Sequence, residues 1–313
     1  MDARRPTTIT IHVPVAGRER AALVCVPATN APADGWPLVL AFHGGQSYPE
    51  MMRRFSGLDI LAATSRAVVV YPAGTGSRES LLTWNGGNCC GEALADGVDD
   101  VDFIRQLLPA VGVRVPIDDR RIHATGMSNG AMMAYRLAAE MADAVASIAP
   151  VAGPLALASI QPVRPVSVLH FHGSCDQFTP LEGGIGRRSV TRVHHRGVVE
   201  GLLEWVHANG CVAECDCEVV PCDDPAIKEN SSAGSHPENM PVASSVERFT
   251  WGPGSSGSEV VFYRVEGGGH TWPGSRPEAF FLGSSALWID ANQIMWEFFM
   301  KHPLVPQPHE GLH

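Results

Sequence analysis

Three side chains in this sequence have the types and the order of a nucleophile, an acid and a base. Ser128 lies in the motif G-M-S-N-G, Asp176 in H-G-S-C-D, and His270 in G-G-G-H-T-W-P-G. A serine hydroxyl is a poor nucleophile until a base takes its proton, and an imidazole base needs an acid to hold one tautomer. Taken singly, Asp176 could cap a turn and His270 could be a core or surface histidine. Together, the three positions predict a Ser-His-Asp triad.

The segment around Ser128 has the strand, turn and helix that a nucleophilic serine in this motif requires. A β-type run over residues 121–127 meets G-x-S-x-G, and the Ala-, Met-, Leu- and Glu-containing run over residues 131–140 favours a helix. The two glycines are needed because side chains there would collide with neighbouring backbone. A plain Gly-Ser turn is the alternative. We expect Ser128 on a strained turn, with its hydroxyl at the top of the sheet.

An acyl-transfer site also needs hydrogen-bond donors for the oxyanion of the tetrahedral intermediate. One donor is expected to be the backbone N–H of Asn129, which directly follows the nucleophile. The other is expected from the loop after the apolar run over residues 37–42, where the sequence reads His-Gly-Gly-Gln. Gly45 is our choice for that donor and Gln46 is the alternative, although His-Gly-Gly could also be only a turn.

The elements that must position these residues alternate between apolar strand-like runs and segments with helical spacing. Continuous apolar runs are typical of strands that are buried on both faces of a sheet. The predicted strands span residues 7–14, 19–27, 37–44, 67–71, 145–151, 166–171 and 259–265, and further predicted helices span residues 50–65, 96–112, 195–209 and 289–301. This alternation predicts an α/β fold with a mostly parallel central sheet and helices on both faces. Reactive groups gather at the carboxyl ends of such strands.

We predict a single domain over residues 1–313, because the sequence has no internal repeat and no second compact pattern. Residues 211–258 interrupt the alternation with Asp, Ser, Gly, Pro and four cysteines. We expect an insertion or lid-like excursion there, with one strand-like piece at residues 246–251. Residues 77–91 are polar and glycine-rich, which predicts a long loop.

Composition and charge exclude several classes of function. Hydrophobic residues make up 45% of the 313 residues and charged residues 18%, which is ordinary for a globular protein. The formal charge of −10 argues against nucleic acid or an anionic membrane as the main partner, and no apolar run has the length needed to span a bilayer. The first residues lack the apolar segment of a signal peptide, so we expect either an intracellular protein or one whose leader was removed.

The eight cysteines are too few to form a disulfide scaffold. Adjacent cysteines rarely bond each other because the ring is strained, so we expect Cys89 or Cys90 to pair with a distant partner where the compartment is oxidising. The four cysteines of residues 211–222 lack the spacing of a zinc finger or knuckle, and His170 and His172 alternate on one strand without a third ligand. We therefore predict no metal site and no cofactor.

Six short stretches carry a resemblance to a known group of enzymes: residues 40–45 (LAFHGG), 83–91 (TWNGGNCCG), 98–101 (VDDV), 126–132 (GMSNGAM), 172–176 (HGSCD) and 267–274 (GGGHTWPG). Together they resemble the polyhydroxybutyrate-depolymerase and feruloyl-esterase group of serine esterases. The match runs from about residue 36 to residue 299 and is weakest over residues 211–258. The resemblance implies an α/β-hydrolase fold and cofactor-free ester hydrolysis, with Ser128 as nucleophile, Asp176 as orienting acid and His270 as base.

The resemblance also implies that the loop carrying Trp84 lines the acyl pocket. Trp84 lies in a Gly- and Asn-rich loop without apolar periodicity, and Trp272 follows His270 by two residues. Large aromatic rings near a reaction centre give an acyl group flat apolar walls. We therefore predict Trp84, Trp272 and Gln46 as substrate-binding residues. The alternative for both tryptophans is that they pack beneath their loops.

The sequence thus predicts a serine carboxylesterase acting on a small or oligomeric ester. The expected substrates are aromatic, feruloyl-type esters or short hydroxyacyl and polyester-type esters. Three alternatives remain open: an acetyl-xylan-type esterase, an acyltransferase that uses an alcohol other than water, and a catalytically silent α/β-hydrolase that binds a ligand. The sequence does not specify the oligomeric state.

Overall fold

The computed structural model describes residues 5–64, 66–222 and 242–305, and the ten strands of these residues form one sheet. In chain order they are β1 (Thr7–Val15), β2 (Arg18–Val26), β3 (Trp36–Phe42), β4 (Val68–Pro72), β5 (Ile117–Met127), β6 (Ser147–Val151), β7 (Ser167–Gly173), β8 (Asp216–Val220), β9 (Ser245–Trp251) and β10 (Val260–Glu266). Their order across the sheet is β1-β2-β4-β3-β5-β6-β7-β10-β9-β8.

The middle of the sheet is parallel and its two edges are antiparallel. The strands from β4 through β3, β5, β6 and β7 to β10 pair in parallel. β1 and β2 form an antiparallel edge on one side, and β9 and β8 form one on the other. The predicted α/β fold with a mostly parallel sheet is therefore confirmed. Because the central strands run in one direction, their carboxyl ends meet at one edge of the sheet.

Helices cover both faces of the sheet, as the apolar runs predict. They are α1 (Pro49–Ser56), α2 (Asp59–Ala63), α3 (Gly91–Ala95), α4 (Asp100–Gly112), α5 (Asn129–Glu140), α6 (Val198–Ala208) and α7 (Ala291–Lys301). Along β3, Leu38 and Leu40 pack with α4, α5 and α6 on one face, and Val39 and Ala41 pack with α1, α2 and α7 on the other. This alternation explains why all seven residues of β3 are buried and why the run reads as continuously apolar.

Two of the predicted helices have different boundaries in the structure, for reasons that lie in the local sequence. The helix predicted over residues 50–65 is two helices, because Gly57 takes a left-handed conformation (φ 64°) and ends α1 with its N–H bonded to the Arg53 carbonyl. The helix predicted over residues 96–112 begins only at residue 100. There the Asp99 carboxylate caps the first turn by accepting from the N–H of Asp102 at 2.9 Å.

Residues 211–258 are in part an extension of the sheet. β9 was expected as a strand-like piece, whereas β8 was not predicted because four of its five residues are exposed and two of them are acidic. Residues 223–241 of the predicted excursion lie outside the described residues. The single domain over residues 1–313 stays a prediction. No helix in the described part of the chain is both long and apolar enough to cross a membrane.

Candidate active site

Ser128 lies on a sharp turn between β5 and α5, at the carboxyl edge of the sheet. Its backbone has φ 58° and ψ −120°, a conformation that a non-glycine residue adopts only at an energetic cost of about 1–3 kcal/mol. The surrounding sheet holds this turn, since the Ser128 N–H donates to the Val151 carbonyl at 2.9 Å. The sequence-based expectation of a strained turn at Ser128 agrees with this geometry.

Close backbone packing explains the two glycines of the motif. A Cβ atom on Gly126 would lie 2.5 Å from the Gly130 carbonyl oxygen and 2.8 Å from that of Phe42. A Cβ atom on Gly130 would meet the same Phe42 carbonyl oxygen. Any larger residue at either position would therefore push α5 away from β3 and move Ser128 with it.

Asp176 and His270 are joined by a hydrogen bond although 94 positions separate them in the chain. Asp176 follows β7 and His270 follows β10, and these two strands are parallel neighbours. His270 Nδ1 lies 2.7 Å from Asp176 Oδ2, and both residues are buried. A neutral imidazole that donates through Nδ1 to a carboxylate leaves Nε2 free to accept a proton.

The Asp176 carboxylate is held by several donors besides His270. Oδ1 accepts the backbone N–H groups of Phe178 and Thr179 at 2.7 and 2.9 Å, and Oδ2 accepts the Thr179 hydroxyl at 3.0 Å. Burial would raise the pKa of this carboxyl. The opposing effects of His270, His172 and the Thr179 N–H outweigh burial and hold the pKa of Asp176 below its usual range. The side chain is therefore an ionised acceptor at neutral pH.

A buried chain of hydrogen bonds runs beneath Asp176. Tyr135 Oη lies 2.9 Å from His170 Nδ1, His170 Nε2 lies 3.1 Å from His172 Nδ1, and His172 Nε2 lies 2.7 Å from the Thr179 carbonyl. Because a carbonyl only accepts, the three groups must donate in the order Tyr135, His170, His172. Burial lowers the pKa of both histidines, so both are neutral. This arrangement is consistent with a structural role for His170 and His172 and not with metal binding.

Ser128 and His270 line one cavity of about 480 Å³. The two side chains make no hydrogen bond with each other in the part of the chain that the structure describes. Such contacts are often long in an enzyme without substrate and shorten when substrate binds. The cavity thus brings together the hydroxyl of Ser128 and the imidazole of His270, with Asp176 directly behind the imidazole.

Asn129, Gly45 and Gln46 line this cavity. Within residues 5–64, 66–222 and 242–305, none of their three backbone N–H groups donates to a protein acceptor. Asn129 is the first residue of α5, where N–H groups lack partners in the helix and the helix dipole favours negative charge. All three predicted residues therefore lie beside Ser128. Both Gly45 and Gln46 remain candidates for the second donor.

His43 fixes the loop that carries Gly45. Its Nε2 accepts the Gly74 N–H at 3.0 Å, so Nδ1 holds the ring proton and donates to the Gly44 carbonyl at 2.8 Å. Burial lowers the pKa of His43 to about 4, which keeps the ring neutral. Gln46 next to this loop has φ 56°, a left-handed conformation that directs the chain around the cavity.

Comparison with known proteins identifies the family. The chain is 32% identical over 278 residues to NocK of Nocardia uniformis subsp. tsuyamanensis, a protein named as an esterase, and the match covers 87% of this chain and 77% of that protein. This chain belongs to the polyhydroxybutyrate-depolymerase and feruloyl-esterase group of α/β-hydrolases. The group consists of carboxylic ester hydrolases, so the predicted family and enzyme class are confirmed. No family model matches the chain.

Two further comparisons concern a more distant relative and a solved structure. The esterase is 28% identical over 184 residues to feruloyl esterase B of Piromyces equi, covering 57% of this chain and 33% of that protein. Its fold matches acetyl xylan esterase from Aspergillus awamori with a TM-score of 0.55 at 15% identity, covering 93% of this chain and 99% of the other. The structural match confirms the fold, and the chain spans a third of the Piromyces protein.

Trp84 does not lie on the cavity wall, contrary to our prediction. Its side chain is fully buried and packs edge-on against Phe42, with the two ring centroids 5.1 Å apart. Its Nε1 donates to the His43 carbonyl at 3.0 Å. The Asn129 side chain bonds both backbone groups of Trp84, accepting its N–H at 2.7 Å and donating to its carbonyl at 2.9 Å. Trp84 therefore supports the loops that carry the amides of Gly45 and Asn129.

Trp272, which we also predicted to bind substrate, lies in the core and not on the cavity wall. It is 1% exposed, belongs to the core on the α7 side of the sheet, and donates through Nε1 to Asn292 Oδ1 at 3.0 Å. Burial beneath the His270 loop removes it from the cavity lining. Of the three residues predicted to bind substrate, Gln46 alone borders the cavity.

The apolar walls consist of residues that the sequence did not identify: Met51, Met52 and Phe55 of α1, Met132 of α5, and Phe178, Val190, Phe281 and Leu282 from loops. Phe178 is the nearest to the chemistry, with its ring centroid 4.9 Å from that of His270. Its position two residues after Asp176 is the one signal that could have pointed to it. Phe281 is 41% exposed and could have been suspected only from its place beside another phenylalanine.

The cysteines near the cavity also differ from expectation. Cys89 and Cys90 both border the cavity and are joined to each other by a disulfide, not to distant partners as predicted. A search of the described residues finds no group of three or more His, Cys, Asp or Glu side chains arranged to hold a metal ion.

Proposed function

We propose that this esterase hydrolyses carboxylic esters through a triad of Ser128, His270 and Asp176. The observation that carries the proposal is the 2.7 Å hydrogen bond from His270 Nδ1 to Asp176 Oδ2 beside a cavity that also contains Ser128 on its strained turn. A buried ionised acid, an oriented imidazole and an accessible hydroxyl at one edge of the sheet fit acyl transfer better than ligand binding alone.

The reaction would proceed in two steps. Ser128 Oγ attacks the ester carbonyl carbon while His270 Nε2 takes the hydroxyl proton, and His270 then returns that proton to the departing alcohol oxygen. Water then attacks the carbonyl carbon of the acyl-enzyme and gives a proton to the same Nε2, which passes it to Ser128 Oγ as the bond between Oγ and the acyl group breaks and the carboxylic acid leaves. Asp176 stabilises the imidazolium in both steps. The backbone N–H of Asn129 and that of Gly45 or Gln46 would donate to the oxyanion.

The cavity walls support an ester with an apolar part larger than acetyl. The lining includes four methionines and three phenylalanines, and methionine adapts to ligands of different shape. The proposed substrates are therefore feruloyl-type aromatic esters or short hydroxyacyl esters, the two kinds of ester named for the group to which the chain belongs. Small and oligomeric esters both remain within this proposal.

A fluorophosphonate probe tests the proposed nucleophile directly. We expect one label per chain, located at Ser128 by peptide mass spectrometry, and we expect Ser128→Ala to abolish labelling. The same variant should lower ester hydrolysis by about four to six orders of magnitude, because the triad acts as a unit. Ser255→Ala, in a short helical turn away from the cavity, is the matched control and should label fully. Labelling at another residue, or wild-type turnover by Ser128→Ala, would refute the assignment.

A further inference from the structure

His195 is a buried histidine on the cavity wall that the proposed triad does not use. It is 3% exposed and lies in the loop between β7 and α6. Two backbone hydrogen bonds pair it with Gly184. The His195 N–H donates to the Gly184 carbonyl at 2.9 Å, and the Gly184 N–H donates to the His195 carbonyl at 2.8 Å. These bonds fix the backbone of His195 and so limit where its ring can point.

The two nitrogens of this ring have different surroundings. Nδ1 is buried and has no hydrogen-bond partner among the residues that the structure describes. Nε2 is not among the buried atoms without a partner, and His195 borders the cavity, which is consistent with Nε2 facing the cavity. Burial lowers the pKa of His195, with Asp176 opposing and His194, His172 and His270 adding to the effect, so the ring is neutral at neutral pH.

A neutral imidazole carries one N–H, on either Nδ1 or Nε2. A proton on Nδ1 would be a buried donor without an acceptor, which is the more costly arrangement. A proton on Nε2 would instead face the cavity, where a substrate oxygen can accept it. This difference favours the tautomer with the proton on Nε2.

The surroundings of His195 make such a donor selective. Cys89, Cys90 and Met132 line the same cavity as His195, and Val193, two positions before His195, packs against them. In an apolar wall, a polar group without a partner loses its hydrogen bonds to water without replacement. A site built to hydrogen-bond a substrate oxygen therefore rejects an analogue that lacks it.

We propose that His195 donates a hydrogen bond through Nε2–H to a substrate oxygen beyond the scissile ester, and thereby selects hydroxyacyl esters over unsubstituted alkyl esters. This inference rests on the proposed function of the same cavity. In a hydroxyacyl ester, the hydroxyl group or the next ester link supplies an oxygen a few atoms from the scissile carbonyl. A plain acyl chain of the same length has only hydrogens at that position.

Two substrates that differ by one oxygen test the proposal: p-nitrophenyl butanoate and p-nitrophenyl 3-hydroxybutanoate. His195→Phe keeps a planar ring without a donor. We expect it to lower kcat/KM for the hydroxy ester by about 10- to 100-fold and that for butanoate by less than about threefold. His195→Gln loses the ring but keeps an N–H donor. We expect it to retain most of the wild-type preference, which a purely space-filling role would not produce.

The exposed neighbour provides the control. His194→Phe makes the same substitution one position earlier, outside the cavity lining, and should leave both substrates and their ratio unchanged. An unaltered ratio in His195→Phe, or equal losses on both esters in His195→Phe and His195→Gln, would overturn the proposal. If the wild type hydrolyses both esters in a Ser128-dependent way and the ratio stays constant, only the role of His195 fails. If it hydrolyses neither ester, both proposals fail.

Discussion

The proposed reacting groups of this esterase and the walls of its cavity are held in place by different forces. Asp176 accepts hydrogen bonds from two backbone N–H groups, a hydroxyl and His270, and Ser128 lies in a turn enclosed by glycines. The walls, in contrast, are apolar side chains of α1 and of the loops, such as Phe281, which is 41% exposed. The proposed reacting groups are fixed by directional bonds, whereas the apolar side chains of the walls are fixed mainly by packing.

This difference predicts which side chains can be substituted without moving their neighbours and which cannot. Moving a reacting group requires breaking several buried hydrogen bonds, each of which leaves an unpaired polar atom. Changing a wall side chain alters only its packing and the volume that it fills. We therefore expect substitutions at the reacting edge to affect every ester alike, and substitutions in the walls to affect esters according to their size.

Among the substitutions that test this contrast, Asp176→Asn should have the largest effect. An amide cannot hold His270 in the tautomer that leaves Nε2 free, so kcat should fall by about three to four orders of magnitude for acetyl and aromatic esters alike. Steady-state kinetics on both ester types at neutral pH measure the loss. Asp143→Asn, at an exposed ion pair with Arg105, is the control and should be close to neutral. Near-normal turnover by Asp176→Asn would mean that another carboxylate orients His270.

Trp84→Ala should give the next largest effect, on stability and not on selectivity. Removing a fully buried indole leaves a cavity against Phe42, which costs about 3–5 kcal/mol of unfolding free energy. Urea denaturation of the variant measures that loss. Activity should fall by the same factor on acetyl and bulky esters, because the oxyanion loops loosen and the wall does not change.

A second substitution separates the contributions of the Trp84 ring. Trp84→Phe keeps a ring against Phe42 but loses the hydrogen bond to the His43 carbonyl, so we expect it to lose less stability than the alanine variant. If Trp84→Ala keeps its wild-type denaturation midpoint and loses activity only on bulky esters, the ring is a substrate wall after all.

The contrast also explains which parts of the molecule were predictable. The positions of Ser128, Asp176 and His270 follow from short motifs at strand ends, because a turn and its glycines are local in sequence. The buried central strands are equally readable, since apolar runs between turn signals have few other interpretations. Both kinds of signal involve a few consecutive residues; the strands agree with the structure, and the triad stays a proposal.

The walls depend on contacts between segments that are distant in the chain, and the wall residues were predicted incorrectly from the sequence. A tryptophan in a polar loop looks exposed, yet Asn129 and Asp100 bind the backbone of Trp84 and Asn85 and draw the ring into the core. Asp100 lies 15 positions from Asn85 and Asn129 lies 45 positions from Trp84, so no local sequence pattern indicates these contacts. For the same reason, nothing near Phe281 in sequence indicates that α1 lies across the cavity from it.

Phe281→Ala should have the smallest effect of the series and the most selective one. Its ring borders the cavity, 6.4 Å from Phe178 between centroids, and its partial exposure means that little core packing depends on it. For a bulky ester such as methyl ferulate, we expect kcat/KM to fall by about 1–3 kcal/mol of transition-state binding. For p-nitrophenyl acetate, which is too short to reach the ring, the loss should be less than about twofold, with an unchanged melting temperature.

Phe280→Ala is the matched control, because it removes the same ring from the neighbouring position outside the cavity lining. Phe280 is 63% exposed and touches Phe281 edge-on, so a small indirect effect is expected, but not the selectivity. If both variants lose methyl ferulate activity equally, the turn at residues 280–282 acts as a unit and Phe281 is not a wall residue. If Phe281→Ala lowers acetate and ferulate turnover by the same factor, packing at the wall supports the reacting groups, and the two regions are not independent.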